Sequence, residues 1–380
     1  MMKLGLLGMG VVGGGVYELA KARDDMEVKY VLDLREFPGL EAILTRDLND
    51  ILSDSEVDTV VELMGGIHPA LEFVTAALEA GKNVVTANKA LVAHAYEELT
   101  ALAKSRGVAF RCTAAAGGGI PWLHNLERAK RVDEIEEVSG IMNGTTNYIM
   151  DTMTHNDVDF AEVLKTAQEL GYAERDPSAD IDGWDIQRKV IISANIAFDV
   201  LLKESDVPVY GIRSVSAADI ASFKEKDMVC KLIATAKPTA DGVCCYVEPT
   251  LVGAADLESA VPSNYNLISF TGKNAGPQSY FGQGAGRYPT AYNVVQDLVD
   301  LNCGVKAFYT DVMNPVKADN ANVVHSYYVR CDKENEWLKS VTKEAWGAGV
   351  LTEAVSLEKM HAFAKEMEQE GAKVFFAGLR

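Results

Sequence analysis

Lys3-Leu4-Gly5-Leu6-Leu7-Gly8-Met9-Gly10-Val11-Val12-Gly13-Gly14-Gly15 is the stretch whose reading decides the fold. It opens on a short apolar run, Lys3 to Leu7, that reads as a strand, and a helical stretch, Val12 to Ala22, follows the glycines. Between them Gly8-Met9-Gly10-Val11-Val12-Gly13 fits the spacing G-x-G-x-x-G, a weak signal by itself because glycine supplies 31 of the 380 residues. Context strengthens it: a strand before, a helix after, and Asp33 twenty residues beyond Gly13. In such a unit Gly8 permits the tight turn and Gly10 lets a pyrophosphate approach backbone N–H groups, while Gly13 allows close helix–strand packing. Val11 and Val12 complete the loop. Gly14 and Gly15 each cost a helix about 1 kcal/mol relative to Ala, so close packing is the expected compensation. Asp33 suits a ribose hydroxyl and hence NAD, whereas Arg35 suits the 2′-phosphate of NADP. The bland alternative is a glycine-rich turn with no ligand.

Outward from this loop the chain alternates. Val28 to Leu32, Thr59 to Leu63, Asn83 to Thr86 and Val108 to Cys112 read as strands. Pro69 to Ala80 and Tyr96 to Arg106 read as helices between them. Short apolar strands separated by helices predict an α/β fold, a Rossmann-type doubly wound parallel sheet. After about Gly119 the rhythm changes to a second, α+β region, the natural place for a substrate site and an oligomer interface. There Glu137 to Met142, Cys244 to Leu251 and Ser279 to Gly282 are strands, and Phe160 to Leu170 and Trp184 to Phe198 are helices. A helix over Thr290 to Leu301 is expected to pack back on the nucleotide domain. The domains are therefore expected at 1–119, completed by about 287–325, and at 120–286. The tail 326–380 reads as one strand (Ser326 to Arg330), a helix (Ser356 to Glu370) and a strand (Lys373 to Ala377).

Composition narrows the function. A formal net charge of −19 argues against nucleic acid and against an anionic membrane surface, both of which need a basic footprint. No apolar run reaches the length of a membrane span, and the N-terminus enters a strand without a charged-then-apolar leader. The six cysteines form no C-x-x-C pair, so a reducing, cytoplasmic setting is expected. The six histidines are scattered without metal spacing and read as structural or surface residues. Cys112, at a strand end with no histidine placed to serve it, reads as a core thiol rather than an aldehyde-oxidising nucleophile.

Six further segments carry a resemblance. They are Glu62-Leu-Met-Gly-Gly-Ile, Val85-Thr-Ala-Asn-Lys-Ala, Gly117-Gly-Gly-Ile-Pro, Gly140-Ile-Met-Asn-Gly-Thr-Thr-Asn-Tyr-Ile, the stretch from Gly171 to Lys189, and Gly282-Gln-Gly-Ala-Gly-Arg-Tyr-Pro-Thr-Ala. In this order they resemble the homoserine dehydrogenase family. The resemblance implies reversible NAD(P)-dependent hydride transfer between L-homoserine and L-aspartate 4-semialdehyde, in the biosynthesis of threonine, methionine and isoleucine. It implies Glu174 and Asp185 as substrate-binding acids, Lys189 as the acid/base lysine and Lys89 as a second lysine. It also implies Gly144, Thr145 and Tyr172 at the substrate, and Thr86, Lys89, Gly171 and Gly286 at the cofactor. A homodimer formed through the second domain is implied as well. Asp185 and Lys189 are i, i+4, so one helix face presents both. Outside the motif such a pair would read as a solvated surface bridge.

The chain also departs from the family pattern. Relatives bind a monovalent cation such as Na⁺ through loop carbonyls, which by position are those of Thr113, Ala116, Gly118 and Ile120. The acidic residue usual before this small-residue run is Thr113 here, which weakens the expected site. Leu32 stands where a basic residue usually precedes the acid after the second strand, which tilts the cofactor toward NAD. The tail is too short for the regulatory ACT domain of many relatives, so weak or absent feedback by threonine is expected. Two other readings remain: a paralogue acting on a different small amino or hydroxy acid, and a non-catalytic cofactor-binding protein.

Overall fold

The computed structural model describes residues 1–156, 158–305 and 318–380. They fall into two compact units, each with its own sheet. Of the described residues, the first unit holds Met1–Asp133, Asn195–Leu201 and 282–305, and the second holds Glu134–Ala194, Leu202–Phe281 and 318–380.

Six strands build the first unit: β1 (Met2–Leu7), β2 (Met26–Leu32), β3 (Leu44–Thr45), β4 (Thr59–Glu62), β5 (Asn83–Thr86) and β6 (Phe110–Arg111). They pair in parallel in the order β3-β2-β1-β4-β5-β6, the doubly wound order of dinucleotide-binding folds. The order reverses between β1 and β4, and ligands bind beyond the carboxyl ends of strands at such a point. The strands read as near-continuous apolar runs because both faces are covered: Leu4, Leu6, Val31, Val61 and Val85 are all fully buried. Burying each such side chain stabilises by about 1.5–3 kcal/mol relative to exposure.

The helix Arg287–Asn302 packs against the first helix, Val11–Lys21, as expected. Glycines make this approach close. A Cβ on Gly15 would lie 2.8 Å from the Arg287 carbonyl oxygen and 3.0 Å from Ala291 Cβ. Residues 120–133, placed by the sequence in the second domain, cluster instead with the first unit. The reason is the helix Trp122–Lys130, which buries Trp122, Leu123 and Leu126 completely, while Lys130 binds the Ile196 carbonyl and Asp199. Within the expected completion at 287–325, residues 306–317 lie outside the described residues, and 318–325 cluster with the second unit.

Strands β7 (Ile135–Ile141), β8 (Met228–Pro238), β9 (Val243–Gly253), β10 (Tyr265–Gly272) and β11 (Gly276–Gln283) form the larger part of the second sheet. The tail adds β13 (Tyr327–Cys331), β14 (Thr342–Trp346), β15 (Gly349–Thr352) and β17 (Val374–Leu379) to it, while β12 (Val324–His325) and β16 (Val355–Ser356) pair as a separate two-stranded sheet. The nine-stranded order is β11-β10-β7-β8-β9-β17-β13-β15-β14. β17 runs parallel to β9, so the tail continues the sheet of the second unit.

The single strand–helix–strand piece expected of the tail is therefore corrected. With helices Glu336–Val341 and Leu357–Gln369 the tail makes a complete βαββαβ unit, whose four strands lie antiparallel as β17-β13-β15-β14. This is the ferredoxin-like arrangement. The sequence hides it because β14 is a largely exposed strand, Thr-Lys-Glu-Ala-Trp, without apolar alternation, and takes its form from pairing with β15. No described helix is long and apolar enough to cross a membrane.

Candidate active site

In the first unit the glycine loop leaves β1 with Gly8 at φ +95°, a conformation that side chains rarely adopt. Gly13 is required by contact, since a Cβ there would sit 2.2 Å from the Gly8 carbonyl oxygen. Above Gly10 nothing lies within 4 Å of a Cβ position, and the helix at Val11 starts without a side-chain cap. Its first-turn N–H groups are thus left for an anion, and the residues fit a pyrophosphate.

Asp33, just beyond β2, accepts the Met9 N–H at 2.8 Å and ties the loop to the second strand. Arg35 forks onto the same carboxylate, Nε to Oδ1 at 3.0 Å and Nη2 to Oδ2 at 2.8 Å. That guanidinium, with the Arg35 and Met9 amides, holds the Asp33 carboxyl far below the usual aspartate range.

Glu62, quoted in the sequence but given no role, proves to be an organiser. Fully buried at the end of β4, it accepts from the Thr86 hydroxyl at 2.6 Å and the Met64 N–H at 2.8 Å. Burial pushes its carboxyl up. The Thr86 hydroxyl proton is thereby committed, which leaves backbone groups for any cofactor contact by Thr86. Asn88 caps the helix Lys89–Arg106, accepting from the Leu91 N–H at 3.1 Å, and sets half-buried Lys89 at the helix start. Gly286, at φ +123°, precedes the helix Arg287–Asn302.

In the second unit β7 runs out at Ile141 and the chain turns through Met142 and Asn143 into the helix Gly144–Asn156. Gly144 is needed there because a Cβ would fall 2.6 Å from the Asn264 carbonyl oxygen. Asn143 accepts the Thr146 N–H at 2.8 Å and donates to Asp180 at 2.7 Å and Asp185 at 2.8 Å. Lys189 Nζ donates to Asp185 at 2.7 Å and to the Met142 carbonyl at 2.6 Å. Asp185 is 4% exposed and Lys189 6%, so this is no solvated surface bridge. Two carboxyl groups and one lysine amine thus meet around Asn143.

Asp180, on the short helix Ser178–Ile181, was not singled out from sequence. Its carboxyl is pushed up, first by burial and then by the neighbouring Asp185 charge. The signal was available in the quoted segment, where Asp180 and Asp185 stand five apart, but only the fold shows that both reach Asn143. Thr145 donates to the Tyr172 carbonyl at 2.5 Å, and the Tyr172 ring meets Tyr148 edge-on at 5.1 Å. Glu174 is not drawn into the cluster: it is exposed, and its backbone carbonyl accepts from Gln168. Gly171, at φ +75°, is exposed at the end of the helix Phe160–Glu169.

A family model described as "Homoserine dehydrogenase, NAD binding domain" matches residues 8–113, and one described as "Homoserine dehydrogenase" matches 121–299. A homoserine dehydrogenase of Synechocystis sp. is 39% identical over 343 residues, covering 86% of this chain and 78% of the relative. The chain belongs to the homoserine dehydrogenase family. One from Bacillus subtilis is 38% identical over 312 residues, covering 78% and 72%. The crystal structure of a homoserine dehydrogenase from Thiobacillus denitrificans superposes with a TM-score of 0.86 at 32% identity, covering 100% of this chain and 98% of that one. Family membership makes the chain an NAD(P)-dependent oxidoreductase.

In the loop expected to hold a monovalent cation, part of the expected carbonyl set is already engaged. Asn293 Nδ2 donates to the Gly118 carbonyl at 2.5 Å and to the Ile120 carbonyl at 2.8 Å, so two of the four expected ligands are engaged. The position of the missing acid, Thr113, is served from another helix: Asp297 accepts the Thr113 N–H at 3.0 Å and its hydroxyl at 2.7 Å.

Proposed function

We propose that this chain catalyses reversible hydride transfer between L-homoserine and L-aspartate 4-semialdehyde. The observation that carries the reading is the Asp180–Asn143–Asp185–Lys189 cluster at the start of the helix Gly144–Asn156, buried but for half-buried Asp180. Its two carboxylates suit an α-ammonium, and its lysine suits a reacting oxygen whose charge changes.

Asp185 and the Met142 carbonyl hold Lys189 in place. In the reducing direction negative charge gathers on the aldehyde oxygen and the Lys189 ammonium delivers a proton to it. In the oxidising direction the neutral amine takes the hydroxyl proton. Gly144, Thr145 and Tyr172 line the substrate carboxylate, with Glu174 and Lys89 in the supporting roles that the family pattern implies. When bound, NAD(P) accepts or supplies the hydride. Gly8, Gly10, Val11, Val12 and Gly13 would hold its pyrophosphate, Asp33 and Arg35 its adenosine end, and Thr86, Gly171 and Gly286 its nicotinamide end.

We read the preference as NAD, because Arg35 is already committed to Asp33, and we place the enzyme in the reducing cytoplasm on its cysteine pattern. The homodimer is assigned to the second unit, where β11 exposes Phe281 (55% exposed) stacked on Tyr265 at 5.0 Å.

A spectrophotometric assay at about 340 nm, following the reduced nicotinamide, with homoserine and separately NAD and NADP tests the reading. Reduction of NAD with the larger kcat/KM is expected. No homoserine-linked reduction of either coenzyme would refute it, and a higher kcat/KM for malate, serine or threonine would favour a paralogous activity.

A further inference from the structure

We infer that the side-chain amide of Asn293 takes, in this chain, the place that relatives give to a monovalent cation, so that the loop 113–120 is organised without one. This rests on the family reading of that loop and goes beyond it, since it assigns a positioning role to a residue outside every motif quoted above.

Carbonyl oxygens that converge on one point repel each other and need positive charge between them. An amide NH₂ supplies two N–H donors at one nitrogen, with no ion to strip of water. Asn293 Nδ2 meets this need, at 2.5 Å from the Gly118 oxygen and 2.8 Å from the Ile120 oxygen. Both partners are pure acceptors, so only the NH₂ end of the amide can face them. Ile120 also accepts the Trp122 N–H at 2.7 Å, and a carbonyl oxygen has two lone pairs; both are in use. Asn293 is 1% exposed, and turning its amide away would leave the buried Gly118 carbonyl without this donor and the Ile120 carbonyl with the Trp122 N–H alone.

The carboxylate one turn along the same helix is committed as well. Asp297 binds the Thr113 N–H and hydroxyl, and its charge is met by the fully buried Arg111, whose Nε lies at 3.0 Å. At 118 the amide takes one of the carbonyl's two lone pairs, at 120 both are in use, and the acid beside the loop is already met.

The same loop bears on the segment before the helix Arg287–Asn302. A Cβ at Gly118 would fall 2.3 Å from the Gly284 carbonyl, and the Gly119 N–H donates to the Gln283 carbonyl at 3.0 Å. Asn293 thus positions residues 283–286, which lead to the expected nicotinamide contact at Gly286.

The test compares the wild-type protein in NaCl, KCl and choline chloride at one ionic strength, reading the melting temperature without substrate and the turnover with it. No shift in Tm and no change in turnover among the three salts is expected. A rise of either in Na⁺ or K⁺ over choline would overturn the inference. Asn293→Asp puts a carboxylate against the two carbonyls, where a cation must then bridge them. Its Tm is expected to fall in choline and to climb with the logarithm of added Na⁺ or K⁺, and a Tm blind to both ions would count against the cradle. If that variant fails to fold, the wild-type comparison still decides. Loss of homoserine-linked activity would strike the proposed function, whereas the substrate-free melting comparison stands apart from it.

Discussion

Lys189 donates to the Asp185 carboxylate and to the Met142 carbonyl, with Asn143 behind Asp185. Replacing Lys189 with Ala removes the proposed proton carrier and does not touch the glycine loop of the first unit. The expected loss is roughly 10²–10⁴ in kcat, with coenzyme affinity unchanged by titration; wild-type-like turnover would remove the assignment. Asp180 offers a second test through pH. Its ordinary value is 3.8 and the fold raises it by burial and by the Asp185 charge, so over that window the folded state keeps a proton that the unfolded chain has lost. Stability contributed at this site therefore falls as pH rises through the raised value, while ammonium binding gains, because the carboxylate form appears there. The acid limb of kcat/KM for homoserine is expected above the ordinary aspartate range. Asp180→Asn should raise KM far more than it lowers kcat and should flatten that limb; an unchanged KM would exclude Asp180 from the substrate site. Lys189 and Asp185 were legible in the sequence because their motif names them, whereas Asn143, Asp180, Glu62 and Asn293 were not, since their partners lie 24 to 175 residues away.

At the scale of elements, the two glycines after Gly13 make opposite predictions. Ala at position 14 would meet the far end of the Arg287 guanidinium at 3.0 Å, which can move aside, and the helix gains about 1 kcal/mol. Ala at position 15 would press on the Arg287 backbone carbonyl at 2.8 Å, and overpacking of that kind costs about 1–3 kcal/mol. Thermal melting should show Gly14→Ala neutral or stabilised and Gly15→Ala destabilised; the reverse order would mean that the helices Val11–Lys21 and Arg287–Asn302 do not approach as described. The parallel strands were readable as apolar runs between helices. β8 was not, because Met228–Pro238 is buried along most of both faces and shows no period of two.

Across the whole molecule, the tail is tied into the second unit by its sheet and by buried charges, among them Asp219, which binds Arg330, and Glu248. Glu248, on β9 and 1% exposed, accepts from His325 Nε2 at 2.8 Å and His361 Nε2 at 3.1 Å. Burial pushes this carboxyl up, but the two imidazoles outweigh it and hold it below its ordinary 4.5. A depressed carboxylate stabilises the fold above its unfolded value and loses that contribution as pH falls through the folded one. Glu248→Gln is expected to cost roughly 1–3 kcal/mol near neutrality and to flatten the fall of Tm in acid; an acid limb like that of the wild type would exclude Glu248 as its source. Among the described residues no cluster suits a metal ion, so the histidine pair is read as a structural clasp. The complete βαββαβ tail also removes the ground for expecting weak threonine feedback, and a threonine titration of the turnover now decides it directly. What the sequence by itself determined was the dinucleotide sheet, its glycine loop and the Asp185–Lys189 pair, because local periodicity and contiguous motifs encode them within a few residues. Only the tertiary structure decided the second acid, the amide among the loop carbonyls and the extent of the tail, because each depends on strands and side chains that meet across long loops.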